Sequence, residues 1–214
     1  MALIVNEIFY SIQGESTFSG RPCAFIRLTG CNLRCSYCDT RYAYTEGIEM
    51  EISEILNRVT EFDCPLVEVT GGEPLIQGET PHLVYQLLEA GHEVLMETNG
   101  SLDIDKVDGR CIRIVDIKCP SSKESHQNDL ANIERLNPGD QVKLLIGSRT
   151  DYEYAKKIVG QIGSRLDTGH ILFSPVHGEM VPAMLANWML EDRLRVRLQL
   201  QLHKIIWPDI ERGK

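Results

Sequence analysis

The chain has 214 residues, a hydrophobic fraction of 43% and a formal net charge of −9. That length builds one large domain or two small ones, with an apolar share ordinary for a globular core. The acidic balance argues against the basic face of a nucleic-acid binder, and no apolar run approaches the roughly 18 residues that span a bilayer. The opening MALIVNEIFY lacks a basic region and a small-residue cleavage site, so it reads as a first strand of a cytoplasmic protein. No repeat, low-complexity tract or linker appears, and residues 1–214 read as a single domain. Short apolar runs at 3–9, 24–28, 66–69, 94–96, 112–117, 142–146 and 171–173 each fit a mostly buried strand. The run 194–202 alternates, with Leu194, Val196, Leu198, Leu200 and Leu202 on one side and Arg195, Arg197, Gln199 and Gln201 on the other. It predicts a last strand with one wet face, and Arg193, Arg195 and Arg197 as its polar edge.

Helical patterns fall between these runs. Ile52, Ile55, Leu56 and Val59 form one stripe. Thr80-Pro81 predicts the cap of a helix carrying Leu83, Val84, Leu87 and Leu88 and ending at Gly91. Tyr154, Ala155, Ile158, Val159 and Ile162 mark a third, and residues 181–190 a short fourth. Strands alternating with helices imply a parallel sheet. Eight full strand–helix repeats typically take about 250 residues. The expectation is therefore an α/β fold, an open, partial TIM-like barrel whose site lies at the C-terminal ends of its strands.

Polar motifs fall at those ends. GCNLRCSYCDT follows the run 24–28, Thr70-Gly71-Gly72-Glu73-Pro74 follows 66–69, and Glu97-Thr98-Asn99-Gly100 follows 94–96. Asp116-Ile117-Lys118 closes 112–117, and Ser174-Pro175-Val176-His177 follows 171–173. Turns are rich in Gly, Thr and Asn for conformational reasons alone. Five strand ends together, one of them carrying the cysteine loop, point instead to a functional rim.

Seven cysteines are many for a reducing compartment, where clustered thiols bind metal or do redox work. Cys23, Cys64 and Cys111 sit among apolar residues and read as core fillers. Cys31, Cys35 and Cys38 share one loop. Structural zinc wants a fourth ligand, which Cys119 or a histidine could supply. An iron–sulfur cubane held by three cysteines instead leaves one iron open to a small molecule.

The spacing C-x-x-x-C-x-x-C, with Tyr37 before the last cysteine and Gly71-Gly72-Glu73-Pro74 at the next strand end, resembles the radical S-adenosylmethionine superfamily. Phe9-Tyr10-Ser11-Ile12-Gln13-Gly14-Glu15, Phe25-Ile26-Arg27, Cys38-Asp39-Thr40 and Gln201-Leu202-His203-Lys204 resemble the 7-carboxy-7-deazaguanine synthase family. These blocks run from residue 8 or so to about residue 207. The resemblance implies a homodimer built on a partial barrel of about six parallel strands with fewer helices. It implies a lyase that converts 6-carboxy-5,6,7,8-tetrahydropterin to 7-carboxy-7-deazaguanine with loss of ammonia, for queuosine and related 7-deazapurines. A [4Fe-4S] cluster, S-adenosylmethionine, Mg²⁺ and an electron donor such as flavodoxin would take part.

Residue by residue, the resemblance implies that Cys31, Cys35 and Cys38 hold the cluster and Thr40 offers its hydroxyl to Mg²⁺. Ile12, Gln13, Gly14, Arg27 and Thr70 would contact the pterin, with Arg27 on its carboxylate. Tyr37, Asp39, Gly72, Asp116, Ile117, Lys118, Ser174, Pro175, Val176 and His177 would line the S-adenosylmethionine pocket. No residue beyond the cofactor-bound radical is singled out as catalytic. Two departures stand beside this. Relatives often read Ser-Pro-Lys where this chain has Asp116-Ile117-Lys118, and the tail continues past Pro208 to Lys214, with no role assigned. Outside the resemblance, Arg27 has a structural reading as an ion-pair partner, and Gln13 and Glu15 have one as solvated loop residues. An activase of a glycyl-radical enzyme shares the cysteine spacing, and a zinc-binding interaction module is the non-enzymatic alternative.

Overall fold

The computed structural model describes residues 1–210, 212 and 213. Nine strands form one sheet in the order β3-β1-β2-β4-β5-β6-β7-β8-β9. β2 (Pro22–Leu28), β4 (Leu66–Gly71), β5 (Glu93–Thr98), β6 (Ile112–Asp116), β7 (Gln141–Ile146) and β8 (Ile171–Pro175) run parallel, and the two-residue β9 (Arg197–Leu198) extends them. β1 (Ala2–Ile12) lies antiparallel on β2, and β3 (Ile48–Glu51) antiparallel on β1. The sheet does not close, as the length of the chain implies. The antiparallel edge was not foreseen: β1 outruns the predicted strand at both ends, and β3 has no apolar run to announce it.

Helices cover the outer face. α1 (Ile52–Thr60) buries Ile52, Ile55 and Val59, the stripe expected of an amphipathic helix. α2 (Thr80–Glu89) ends before Gly91, whose φ of +89° suits glycine. Its start differs from the expected cap. Thr80 is the first helical residue, and its buried hydroxyl donates to the Pro74 carbonyl at 2.6 Å. α3 (Arg149–Ile162) opens on Ser148, whose hydroxyl accepts from the Asp151 amide at 3.2 Å. α4 (Pro182–Glu191) and the short α5 (Leu202–Ile206) complete the described helices. The β5–β6 link carries one 3-10 turn and the β6–β7 link three, with no α-helix in either among the described residues, so α-helices are fewer than strands.

The final alternating strand is overturned. Arg193 has a positive φ of 50° and turns the chain after α4. Only Arg197 and Leu198 pair with β8. Gln199 is buried, Leu198 and Leu200 are exposed, and Leu202 begins α5. The apolar phase flips after Arg197 because Gln199 turns inward, its amide nitrogen donating to the Ser16 carbonyl at 3.1 Å. Alternation shows that a strand is possible, but a ladder needs a partner, and β8 offers only two residues here.

The pairing register decides which side chains face the barrel interior. Phe25 lies opposite Glu68, and Arg27 opposite Thr70. Glu97 lies opposite Ile114, Asp116 opposite Lys143, and Leu145 opposite Ser174. The inward face of β2, β4, β5 and β6 therefore turns polar toward the C-terminal end, with Arg27, Thr70, Glu97 and Asp116 there. On the other face of β6 Arg113 is fully buried against the connecting loops, its Nη2 and Nε reaching Asp140 Oδ2 at 2.6 and 3.0 Å.

Candidate active site

The cavity at the strand ends has a volume of about 720 Å³. Three loops are pinned there by buried hydrogen bonds. Glu73, fully buried, accepts from the Leu75 amide at 3.0 Å, the Asn99 amide at 2.6 Å and the Thr98 hydroxyl at 2.9 and 3.0 Å. It thereby ties the turn after β4 to the turn after β5. Its own amide donates to Gly30 at 2.8 Å, so the turn also holds the start of the cysteine loop. A Cβ on Gly72 would strike the Gly30 carbonyl and Cys31, which is why this turn needs glycine. The far side of the cysteine loop is held by Ser36, whose hydroxyl donates to Ser121 at 2.7 Å and whose amide donates to Ser122 at 3.0 Å.

Cys31, Cys35 and Cys38 all line this cavity, together with Tyr37, Asp39 and Thr40. Cys31 Sγ accepts from the Leu33 amide at 3.4 Å and from Asn99 Nδ2 at 3.8 Å. Burial pushes the Cys31 thiol up and takes Cys35 up to about 11. Ligation requires thiolates, so a metal centre here displaces protons as it binds. Among the described residues, no three His, Cys, Asp or Glu side chains close on the single point that one metal ion would need. Cys119 is buried in the core and does not line the cavity. Three soft donors on one cavity wall fit an iron–sulfur cluster with one iron left to another ligand.

Beyond the thiols the wall divides in two. On one side, Lys118 Nζ reaches Asp116 Oδ2 at 2.9 Å. Burial would lower the Lys118 ammonium, but Asp116, Tyr37 and Cys35 hold it above its ordinary range. The Tyr37 hydroxyl and Asp116 Oδ1 are buried without hydrogen-bond partners in this group. Orphaned buried polar atoms beside the thiols, with the Gly72 backbone, suit a polar cofactor such as S-adenosylmethionine. Val176 and His177 complete this side, whereas Ile117, Ser174 and Pro175 do not line the cavity. Ile117 packs in the core, its amide donating to the Lys143 carbonyl at 2.9 Å.

On the other side stand Ile12, Gln13, Gly14, Arg27 and Thr70. Arg27 Nε donates to Glu7 at 2.7 Å, while its guanidinium lies over the rings of Phe9 and Tyr42. Arg27 is therefore an ion-pair partner that also faces the cavity. Gln13 is buried, its Nε2 donating to Glu68 and its Oε1 accepting from the Glu15 amide at 2.9 Å, so neither Gln13 nor Glu15 is a solvated loop residue. Gly14 sits where a Cβ would strike His203, which brings α5 to the rim. Thr40 donates its hydroxyl to Asp39 Oδ1 at 3.0 Å, and Lys204 reaches the other Asp39 oxygen.

Sequence reasoning missed two charges in the floor, Lys143 and Glu68. Lys143 Nζ reaches Glu15 at 2.9 Å, Glu97, and Asp116 at 3.5 Å. Burial would lower this lysine, but the three carboxylates push it well above its usual range. Glu97 is raised, chiefly by burial, and Glu68 is pushed up to about 8 by burial and by the Glu97 and Glu15 carboxylates. The signal available was a charged residue inside an apolar strand: Glu68 between Val67 and Val69, and Lys143 between Val142 and Leu144. Trp207, Pro208 and Ile210 close the cavity from the tail, to which no role was assigned; Lys214 lies outside the described residues.

Comparison with known proteins places the chain in a family. The family model of the radical SAM superfamily matches residues 25–114. A 7-carboxy-7-deazaguanine synthase from Chlorobaculum tepidum is 50% identical, covering 99% of this chain and 97% of the relative. One from Koribacter versatilis is 41% identical over 98% of this chain and 99% of its own length. The crystal structure of QueE from Escherichia coli superposes with a TM-score of 0.77 at 22% identity, covering 94% of each chain, and so shares the fold. With half of its residues identical along nearly the whole of both chains, the protein belongs to the 7-carboxy-7-deazaguanine synthase family of radical SAM enzymes.

Proposed function

We propose that this chain is a 7-carboxy-7-deazaguanine synthase, converting 6-carboxy-5,6,7,8-tetrahydropterin to 7-carboxy-7-deazaguanine and ammonia. The observation that carries the reading is that Cys31, Cys35 and Cys38 share one cavity with Arg27, Gln13 and Thr70. Cys31, Cys35 and Cys38 would hold a [4Fe-4S] cluster, which when bound would supply the electron for reductive cleavage of S-adenosylmethionine. The residues of the chain fix the partners of that chemistry. Gly72 lets backbone approach the methionine end, and Tyr37, Asp116 and Lys118 offer polar atoms to the same molecule. Arg27 presents a planar fork to the substrate carboxylate, and Thr70 offers its hydroxyl to the ring edge.

Holding both molecules in fixed contact is how a site of this kind lowers a barrier, because proximity and orientation carry much of it. Thr40 and the neighbouring Asp39 present hard oxygens to Mg²⁺, which takes few protein ligands and keeps several waters. The substrate carboxylate would be a further oxygen ligand. Anaerobic reconstitution with iron and sulfide, then reduction in the presence of S-adenosylmethionine and the carboxypterin, tests the reading. Formation of 7-carboxy-7-deazaguanine is the expected result. Cleavage of S-adenosylmethionine with the carboxypterin left unchanged would sink it and favour the activase.

A further inference from the structure

Glu68 lies midway along β4 with 3% of its surface exposed. Central parallel strands are ordinarily apolar throughout. Among the described residues its side chain has one hydrogen bond, from Gln13 Nε2, and no cation within ion-pair reach. A carboxyl buried without a cation is costly, so one kept at a cavity wall points to function. The register turns Glu68 and Thr70 to the same face, and both line the cavity beside Gln13.

The proposed substrate carries a 2-amino-4-oxopyrimidine ring, whose 2-amino and N3 hydrogens point the same way. Two parallel N–H donors match the two oxygens of one carboxylate, as a guanidinium does. Resting on the functional reading above, we propose that Glu68 is the specificity residue for this edge, its carboxylate accepting the 2-amino and N3 hydrogens. Gln13, which already touches Glu68, holds the carboxyl plane in place.

This assignment has a proton balance. In the free protein, burial and then the Glu97 and Glu15 carboxylates take Glu68 up to about 8, against Lys143 and the Gln13 hydrogen bond. The groups facing it are Gln13 and Glu15 from the end of β1, Cys23 of β2, Glu97 of β5, Cys111 ahead of β6 and Lys143 of β7. The free protein therefore carries a proton on Glu68 at neutral pH. Binding through both oxygens releases that proton to solvent, one for each ligand bound.

Equilibrium binding of the carboxypterin to the anaerobic, cluster-loaded protein, without reductant, tests this. The dissociation constant should fall about tenfold per pH unit and level off above about pH 8. Glu68→Gln keeps the shape but cannot become an anion. It should bind at least about tenfold more weakly at high pH, with the slope lost. The parent should also prefer the 2-amino ring over its 2-oxo analogue, and Glu68→Gln should lose that preference. A pH-independent affinity in the parent, or parent-like affinity and slope in Glu68→Gln, overturns the assignment alone. No binding of the carboxypterin by the parent at any pH overturns the functional reading and this assignment with it.

Discussion

Arg27 donates its Nε to Glu7 Oε1 at 2.7 Å, and the Tyr42 hydroxyl donates to the same oxygen at 3.0 Å. The pair fixes the guanidinium plane without using its forked end. Among the described residues that end makes no hydrogen bond, and it lies on the cavity wall. Arg27→Ala should therefore keep the cluster and lose the carboxypterin. Removing one partner of a buried charged hydrogen bond costs about 2–5 kcal/mol, roughly thirtyfold to several-thousandfold in affinity. Arg27→Lys should recover little, because lysine can satisfy Glu7 but has no fork. Parent-like turnover in Arg27→Ala would leave Arg27 with the Glu7 ion pair as its whole purpose.

Thr40 gives a narrower expectation. Its hydroxyl bonds to Asp39, whose other oxygen is held by Lys204 of α5. Mg²⁺ should raise turnover of the parent. Thr40→Ala should need several-fold more Mg²⁺ for the same rate, since one of few protein ligands is gone. Titration of turnover against Mg²⁺ checks this, and identical curves for parent and variant would place the ion elsewhere.

How much of this was legible beforehand depended on the kind of signal. The cysteine loop and the Thr70–Pro74 turn could be read because their residue types have few other uses at that spacing. The six long parallel strands could be read because each carries a short, mostly apolar run. The floor of the site could not. Glu68 and Lys143 sit in strands whose neighbours are Val67, Val69, Val142 and Leu144, so periodicity saw buried strands and passed over the charges. Their meaning depends on register, which brings Lys143 against Asp116 and near Glu15 and Glu97. Alternation misled at 194–202, where tertiary pairing supports only Arg197 and Leu198. The β6–β7 link lacks a helix because Ser121, Ser122, Asn128 and Asn132 commit their polar groups to local turns and to neighbouring loops.

Glu73 should matter for stability rather than chemistry. Its carboxylate is raised by burial yet accepts two backbone amides and the Thr98 hydroxyl, so its removal strands three buried donors. Glu73→Ala should destabilise the fold by about 3–5 kcal/mol. Glu73→Gln, which keeps an acceptor, should cost less. Denaturant unfolding of both checks the order, and equal losses would mean that volume, not acceptance, is what counts.

The thiols divide cleanly by location. Cys35→Ala should abolish the cluster absorption, and Cys119→Ala should retain it, because Cys119 lies in the core away from the cavity. Chelation of iron should bleach the parent. Metal analysis of anaerobically prepared protein checks both variants. Loss of the cluster in Cys119→Ala, with the fold intact by circular dichroism, would end the three-ligand assignment.

Glu68 makes the fold's stability depend on pH in a direction unusual for a carboxyl. Below the unfolded-chain value of about 4.3, Glu68 is protonated whether the chain is folded or not, and nothing is lost. As pH rises, the unfolded chain releases this proton while the folded chain keeps it up to about 8, so stability declines across that window. Above about 8 the full penalty stands, an upper bound of a few kcal/mol. Glu68→Gln removes a titrating group while keeping the acceptor for Gln13. Its melting temperature should match that of the parent near about pH 4 and exceed it increasingly toward about pH 8. A gap that stays constant with pH would show that Glu68 does not carry the proton. A gap that opens as expected would mean that this position holds a less stable residue than it could, as a binding carboxylate requires.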